Sequence, residues 1–177
     1  MQAMRGELKL ILEDGAKVDR LPDGMPFHQT CTAYWNQLPF YGVSRFFPSE
    51  QSCIDRVRDV RWPAGPCCLR CGSAVLTWVA SRCLFQCADC RHQFSVKTDT
   101  VLHRSRLPLR TWFLATEIVI ESYRFISSRD YVTAKHLGRT FGISYETAWR
   151  LRQTVLNDLK RRDSLLAAVV CTGPHPY

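Results

Sequence analysis

The spacing of apolar and polar positions divides the chain into a weakly patterned opening, a middle of short alternating runs and a long helical remainder. From Pro48 the pattern is helical. Ser49 is placed as an N-cap, Glu50 suits the positive end of the first turn, and Cys53, Ile54, Val57 and Val60 recur on one face. Pro63 ends that helix, and Ala64, Gly65 and Pro66 make a turn. Three short β-type runs follow, at 75–79, 82–86 and 92–96. Cys83 shares the strand face of Phe85, which predicts a core position.

From Leu107 the period lengthens again. Pro108 suits a first helical position. Leu109, Trp112, Phe113, Thr116, Ile120 and Tyr123 form one stripe with Leu114 and Ile118 opposite, so this helix is expected to be buried nearly all round. A second helix is expected at about 128–140, with Tyr131, Ala134, Leu137 and Phe141 inward. Gly142 suits the left-handed position that stops it. Ser144 caps a third helix at about 145–161. The apolar run 165–170 reads as the first strand of something further.

Residues 1–47 carry turn chemistry at Gly15, Pro22, Gly24, Pro26 and Pro39, and 1–13 could form one short helix. Their aromatics, Phe27, Tyr34, Trp35, Phe40, Tyr41, Phe46 and Phe47, predict packing against the rest. The longest apolar run, 165–171, is seven residues against the roughly 20 a membrane span needs. The apolar stretch at 8–12 is too short for a secretory leader. A cytoplasmic location is expected.

The chain has 177 residues, a net charge of +8 and nine cysteines. Residues 1–47 are net neutral, while 48–106 and 107–177 each carry +4, so the excess sits with the patterned part. A basic chain rich in reduced cysteine points first to nucleic acid, with cysteines as metal ligands before disulfides.

Cys68, Cys71, Cys87 and Cys90 form two C-x2-C pairs with fifteen residues between them. A two-residue spacer lets one tight turn aim two thiolates at one ion, and two such knuckles joined by a hairpin make a zinc ribbon. One Zn2+ is expected, and four protein ligands make the site closed and structural. Cys67 would lengthen the first spacer, so Cys68 is preferred. His92 is expected in a strand rather than on the metal. Cys31, Cys53 and Cys171 read as ordinary thiols.

The second helix, the turn at Gly142, Ile143 and Ser144, and the third helix have the spacing of a helix-turn-helix. Ile143 is expected to plug between the helices. Placed on a 100° wheel, Ala148, Leu151, Val155 and Leu159 face the core. Tyr145, Glu146, Thr147, Arg150, Gln153, Asn157 and Arg161 are the candidate DNA-binding positions of this helix, because Arg, Gln and Asn side chains contact base edges and the first turns enter the groove. Arg70, Arg82 and Arg91 of the ribbon are candidates for phosphate contacts. Arg152 falls near the buried stripe and needs an escape to the edge. A plain three-helix bundle with a polar outer face is the alternative for this pattern. The fold class expected is α+β: a small zinc β-ribbon followed by an all-α three-helix helix-turn-helix domain. The divisions are 1–46, 47–104 (helix plus ribbon), 105–162 (three helices) and a tail at 163–177.

The residues Phe47-Pro48-Ser49-Glu50-Gln51-Ser52-Cys53 and Arg61-Trp62-Pro63-Ala64-Gly65, then the two knuckles, then Gln93-Phe94-Ser95-Val96, Leu107-Pro108-Leu109, Trp112-Phe113, Gly142-Ile143-Ser144 and Thr147-Ala148-Trp149, stand in the order of a known family. Over about 46–160 the chain resembles bacterial insertion-sequence transposases that begin with a transposase zinc-ribbon domain. It departs at Asp99, where a Gly is usual, and at Leu69, where a Pro is usual. The resemblance implies a ribonuclease-H-like catalytic domain further on, with acidic residues that bind Mg2+. The residues after Arg162 leave no room for it, so the chain is expected to be a truncated transposase front. It would bind double-stranded DNA at element ends without cutting, nucleoid-associated, with full-length transposase or a second copy as further partners. Two alternatives stand beside this. One is the DNA-binding subunit of an active transposase whose catalytic part is encoded separately or by frameshift. The other is a zinc-ribbon module that binds protein.

Overall fold

The computed structural model describes residues 25–124 and 131–173. Among them the chain forms α1 (Phe27–Trp35), α2 (Val43–Phe46), α3 (Glu50–Arg61), β1 (Leu76–Val79), β2 (Leu84–Cys87), β3 (Gln93–Phe94), α4 (Leu109–Tyr123), α5 (Ala134–Phe141), α6 (Tyr145–Leu159) and α7 (Leu165–Val170). The class is mixed, mostly helical with one small antiparallel sheet of order β1-β2-β3.

Helix α4 is the axis of the helical part. It packs against α1, α2, α3, α6 and α7, and Leu109, Trp112, Phe113, Ala115, Thr116, Val119 and Ile120 are all buried. The burial is one-faced rather than all round: Leu114 and Ile118 on the opposite side are half-buried, as is Tyr123. Its first residue is Leu109, with Pro108 one step outside as N-cap and offering no side-chain cap. Glu50 supplies one from another helix: its carboxylate accepts from the Leu109 amide at 2.7 Å and the Arg110 amide at 3.0 Å. The amides at a helix start lack internal partners, and a carboxylate also favours the positive end of the helix dipole. Arg110 donates back to the carbonyls of Phe47 and Ser44.

Helix α3 begins as its sequence predicts. Ser49 accepts from the Ser52 amide, and Ser52 returns a bond to the Ser49 backbone. Its far end carries the sheet: the Trp62 ring meets Phe85 and Phe94 edge-on with centroids 6.1 and 6.0 Å apart. Arg61 lies over Trp62 at 4.3 Å and donates to the Val96 carbonyl at 2.8 Å.

Four further expectations are corrected. The run Leu165–Val170 is a helix, not a strand. A six-residue apolar run fits either state, and two side chains outside the run anchor it as a helix. Asp158 receives the Leu166 amide and the Ser164 hydroxyl at one end. Arg56 donates to the carbonyls of Ala168, Val169 and Cys171 at the other. The second helix of the bundle starts at Ala134, where Thr133 caps it through the His136 amide, so Tyr131 lies outside it. Tyr131 is 42% exposed rather than inward, and it stacks on Tyr123. Cys83 is exposed in a left-handed turn at φ 49°, following the 3-10 turn Ala80–Arg82, and does not sit on the core face of β2. The strands are shorter than their runs, leaving Val75, Arg82 and Val96 outside. The helix expected at 1–13 lies outside the described residues, as do 128–130. Residues 27–47, which gave no helical signal, contain α1 and α2, both seated on α4.

Asp158 is only 3% exposed. Burial raises its carboxyl above the ordinary value, against the bonds from Leu166 and Ser164. With the folded pKa above the unfolded one, the native state holds the extra proton between them. This group therefore favours folding more as pH falls through that window, and the contribution is lost as pH rises through the folded pKa. Asp158→Asn should keep the acceptor for both donors, and it should gain stability relative to the parent as pH rises from the carboxylate range to neutrality. Urea titrations of both proteins at two pH values test this, and parallel pH slopes would refute it.

Candidate metal centre and nucleic-acid interface

Both knuckles have one backbone design. The Gly72 amide closes on the Cys68 carbonyl at 2.9 Å, and the Arg91 amide closes on the Cys87 carbonyl at 3.0 Å. The Cys68 amide donates to the Ser73 carbonyl at 2.8 Å, and the Cys87 amide to the His92 carbonyl at 2.9 Å. In each knuckle the residue after the second cysteine is left-handed, Gly72 at φ 75° and Arg91 at φ 57°. Glycine takes that conformation freely and arginine does not. The sheet register, with Leu76 opposite Cys87, sets one knuckle beside the other.

The four sulfurs lie within 4.8 Å of one another. Cys68 and Cys90 are 3.5 Å apart, and Cys71 and Cys87 3.6 Å. Sulfurs at about 2.3 Å from a tetrahedral zinc stand about 3.8 Å apart, so this cluster fits one structural zinc ion. The Arg70 amide donates to Cys68 Sγ at 3.4 Å. Desolvation works against ionising Cys68, but the Cys71 and Arg70 amides and the neighbouring thiols outweigh it, and its thiol falls to about 6. The Ser73 amide favours ionising Cys71, yet the surrounding sulfurs hold its proton and raise it to about 12. Thiols this close hold protons in common because gathering their charges is costly. A divalent ion removes that penalty. Cys67 is half-buried and outside the cluster. His92 stacks on Phe94 at 5.9 Å and is also outside it. Cys31, Cys53 and Cys171 are buried thiols.

The α5–α6 corner follows the expected residues. Gly142 is left-handed at φ 63°, and Ser144 accepts from the Thr147 amide to cap α6. Ile143 is half-buried against the core. On α6, Ala148, Leu151, Val155 and Leu159 are buried. Arg152 escapes as its position requires, donating to the Val132 carbonyl at 2.6 Å and to the Tyr123 hydroxyl.

The candidate DNA positions are not all equivalent. Tyr145, Glu146, Arg150, Asn157 and Arg161 are exposed, and so are Arg70, Arg82 and Arg91 of the ribbon. Gln153 is half-buried. Thr147 is half-buried with its hydroxyl 2.9 Å from that of Ser144. Arg150 reaches Glu146 at 2.6 Å, and Arg161, past the end of α6, pairs with Asp163. Gly138 was missed from the sequence. A Cβ there would lie 3.2 Å from the Ile143 carbonyl oxygen and 3.6 Å from the Ala148 Cβ, so the bare backbone lets α5 approach the corner. The signal available was its spacing, four residues before Gly142. Gly138→Val should cost about 1–3 kcal/mol by overpacking, measured by thermal unfolding, and an unchanged midpoint would remove this role.

Residues 48–93 match the family described as the transposase zinc-ribbon domain, of IS1595 type. Over these residues the chain is similar to that zinc-ribbon family. The match takes in Glu50, Trp62 and all four cysteines. The chain is 31% identical over 116 residues to an uncharacterised protein in transposable element ISH50 of Halobacterium salinarum. That alignment covers 64% of this chain and 37% of the relative. The chain therefore spans well under half the length of this transposon-borne relative. No solved structure matches it. Among the described residues, no helix is long and apolar enough to cross a membrane.

Proposed function

We propose that this transposase-like chain is a zinc-dependent, sequence-specific DNA-binding protein that recognises the ends of an insertion element and does not itself cut DNA. In this reading α5 and α6 form a helix-turn-helix with α6 in the major groove, and the ribbon contacts phosphates. The observation that carries it is the outer face of α6. Arg150 and Asn157 are exposed there, and a glycine corner turns that helix out from α5. The Arg150–Glu146 pair is fully on the surface, with side chains 72% and 73% exposed. Such pairs are worth little, so Arg150 can leave it for a guanine edge at small cost.

A second reading is a DNA-binding part of an active transposase whose catalytic residues lie elsewhere. The partial coverage of the relative, 37% of its length, leaves room there for residues beyond the matched region. The two readings share the DNA site and differ in whether added catalytic protein restores strand transfer on element ends.

The test is selection of bound sequences from random DNA, followed by two variants. Arg150→Ala should cost about 1–3 kcal/mol on the selected site and relax preference at one base pair. Arg91→Gly should weaken all sequences alike and lower the salt slope by about one. Because it frees a left-handed position, it should also stabilise the ribbon by about 1 kcal/mol. Equal effects of the two variants on specific and random DNA would overturn α6 as the reader.

A further inference from the structure

Helix α6 carries two aromatic side chains that its packing does not use. Tyr145 is 65% exposed and Trp149 is 48% exposed, and both stand outside the hydrophobic core cluster. Four residues apart, they lie one above the other on one edge of the helix. They lie beside the Glu146–Arg150 pair within the first two turns, the part of a reading helix that goes deepest into a groove.

The surroundings say what could cover them. On the two helices of the corner the exposed charges are Lys135, Arg139 and Arg150 against Glu146; Lys160, Arg161 and Arg162 lie about three turns further on, with Lys160 over the Phe27 ring and Arg161 paired with Asp163. An apolar edge within a positive field suits a polyanion that also offers apolar groups. Double-stranded DNA does: each thymine places a 5-methyl on the major-groove floor, between acceptors and donors of the neighbouring bases.

We infer that Tyr145 and Trp149 select thymine through its methyl group, beside a guanine–cytosine pair read by Arg150 and Glu146. This rests on α6 being the reading helix and adds what it prefers. Arg150 supplies a fork for guanine O6 and N7, Glu146 accepts from cytosine N4, and the aromatic edge covers the adjacent methyl. A thymine next to a guanine–cytosine pair is therefore the core of the site.

The experiment uses the zinc-loaded full chain and its selected duplex, with each thymine replaced in turn by uracil to remove one methyl. Wild-type protein should bind about three- to fivefold more weakly at one or two such positions, the worth of one buried methyl. Trp149→Ala should bind the parent site about tenfold more weakly and lose its sensitivity to uracil at one of those positions. Trp149→Phe should keep part of both. Trp149 is exposed, so the variants are expected to hold one zinc and an unchanged circular dichroism spectrum, and these are measured alongside. A selected site indifferent to uracil would overturn this inference and leave the DNA-reading function standing. So would a Trp149→Ala loss that is equal on thymine and uracil sites; the ring would then act as a wedge between base steps. Failure to select any sequence would overturn both.

Discussion

Cys87→Ser should release the zinc and unfold residues 66–102 while the helices around α4 stay folded. Two regions with different supports underlie this. The helical part shares a core through α4, with Phe113, Val119, Ile120, Leu151, Val155 and Leu166 all buried. The ribbon has three short strands whose ring contacts run through Trp62, Trp78, Phe85 and Phe94, and Val96 and Leu102 join it to the core of the helices. Structural zinc contributes about 10–16 kcal/mol of apparent binding free energy in small zinc modules, which is more than such a sheet can supply by burial. Cys87 is fully buried in the cluster, so serine there both removes a thiolate and leaves three others facing one another. Cys31→Ser should retain the metal, because Cys31 is buried in α1, outside the cluster. Metal analysis, near-ultraviolet dichroism of Trp62 and Trp78, and limited proteolysis within 66–102 read the outcome. Full zinc in the Cys87 variant, or none in the parent purified without chelator, would contradict it.

The residues most legible in the sequence were those whose role depends on near neighbours. Ser49, Ser144 and Gly142 act within a few positions of themselves, and two C-x2-C pairs at hairpin distance leave little choice of ligand set. Periodicity likewise exposed α4 and the inward face of α6. What was hidden depends on side chains outside the local pattern or on where an element actually starts and turns. The apolar run at 165–170 has no period that separates strand from helix; Asp158 and Arg56 anchor its ends from neighbouring helices. Tyr131 was assigned inward because helical spacing was extended back past Thr133, which is the actual cap. Cys83 has the spacing of a core strand residue, but it falls where the hairpin turns. Glu50 looked like a favourable first-turn acid, and its larger role as the cap of α4 needed the fold to appear. Trp149 enters the sequence reading only through the Thr147-Ala148-Trp149 resemblance, and its exposure marks it for another use.

Phe113→Ala should lower the stability of the helical part by about 3–5 kcal/mol while leaving one zinc per chain at low temperature. Truncating a buried phenylalanine loses transfer free energy and leaves a cavity that a close-packed interior refills only in part. Phe113 is 0% exposed, on the helix against which α1, α2, α3, α6 and α7 pack. Its ring meets Phe47 edge-on at 5.0 Å, just before the Ser49 cap of α3. The Glu50 bonds to the α4 amides lie one turn before it. A cavity there loosens the contact between α3 and α4 and the bed on which α1 and α7 lie. The ribbon hangs from the far end of α3 through Trp62 and Arg61, and its metal centre is closed by its own four cysteines, so zinc binding should survive. The two variants therefore separate the two supports: Cys87→Ser loses metal before helix, and Phe113→Ala loses helix before metal. Thermal unfolding followed by helical dichroism, together with zinc release monitored by a chelating dye, reads both. Simultaneous loss of metal and helix in both variants would mean that ribbon and helices unfold as one unit through α3.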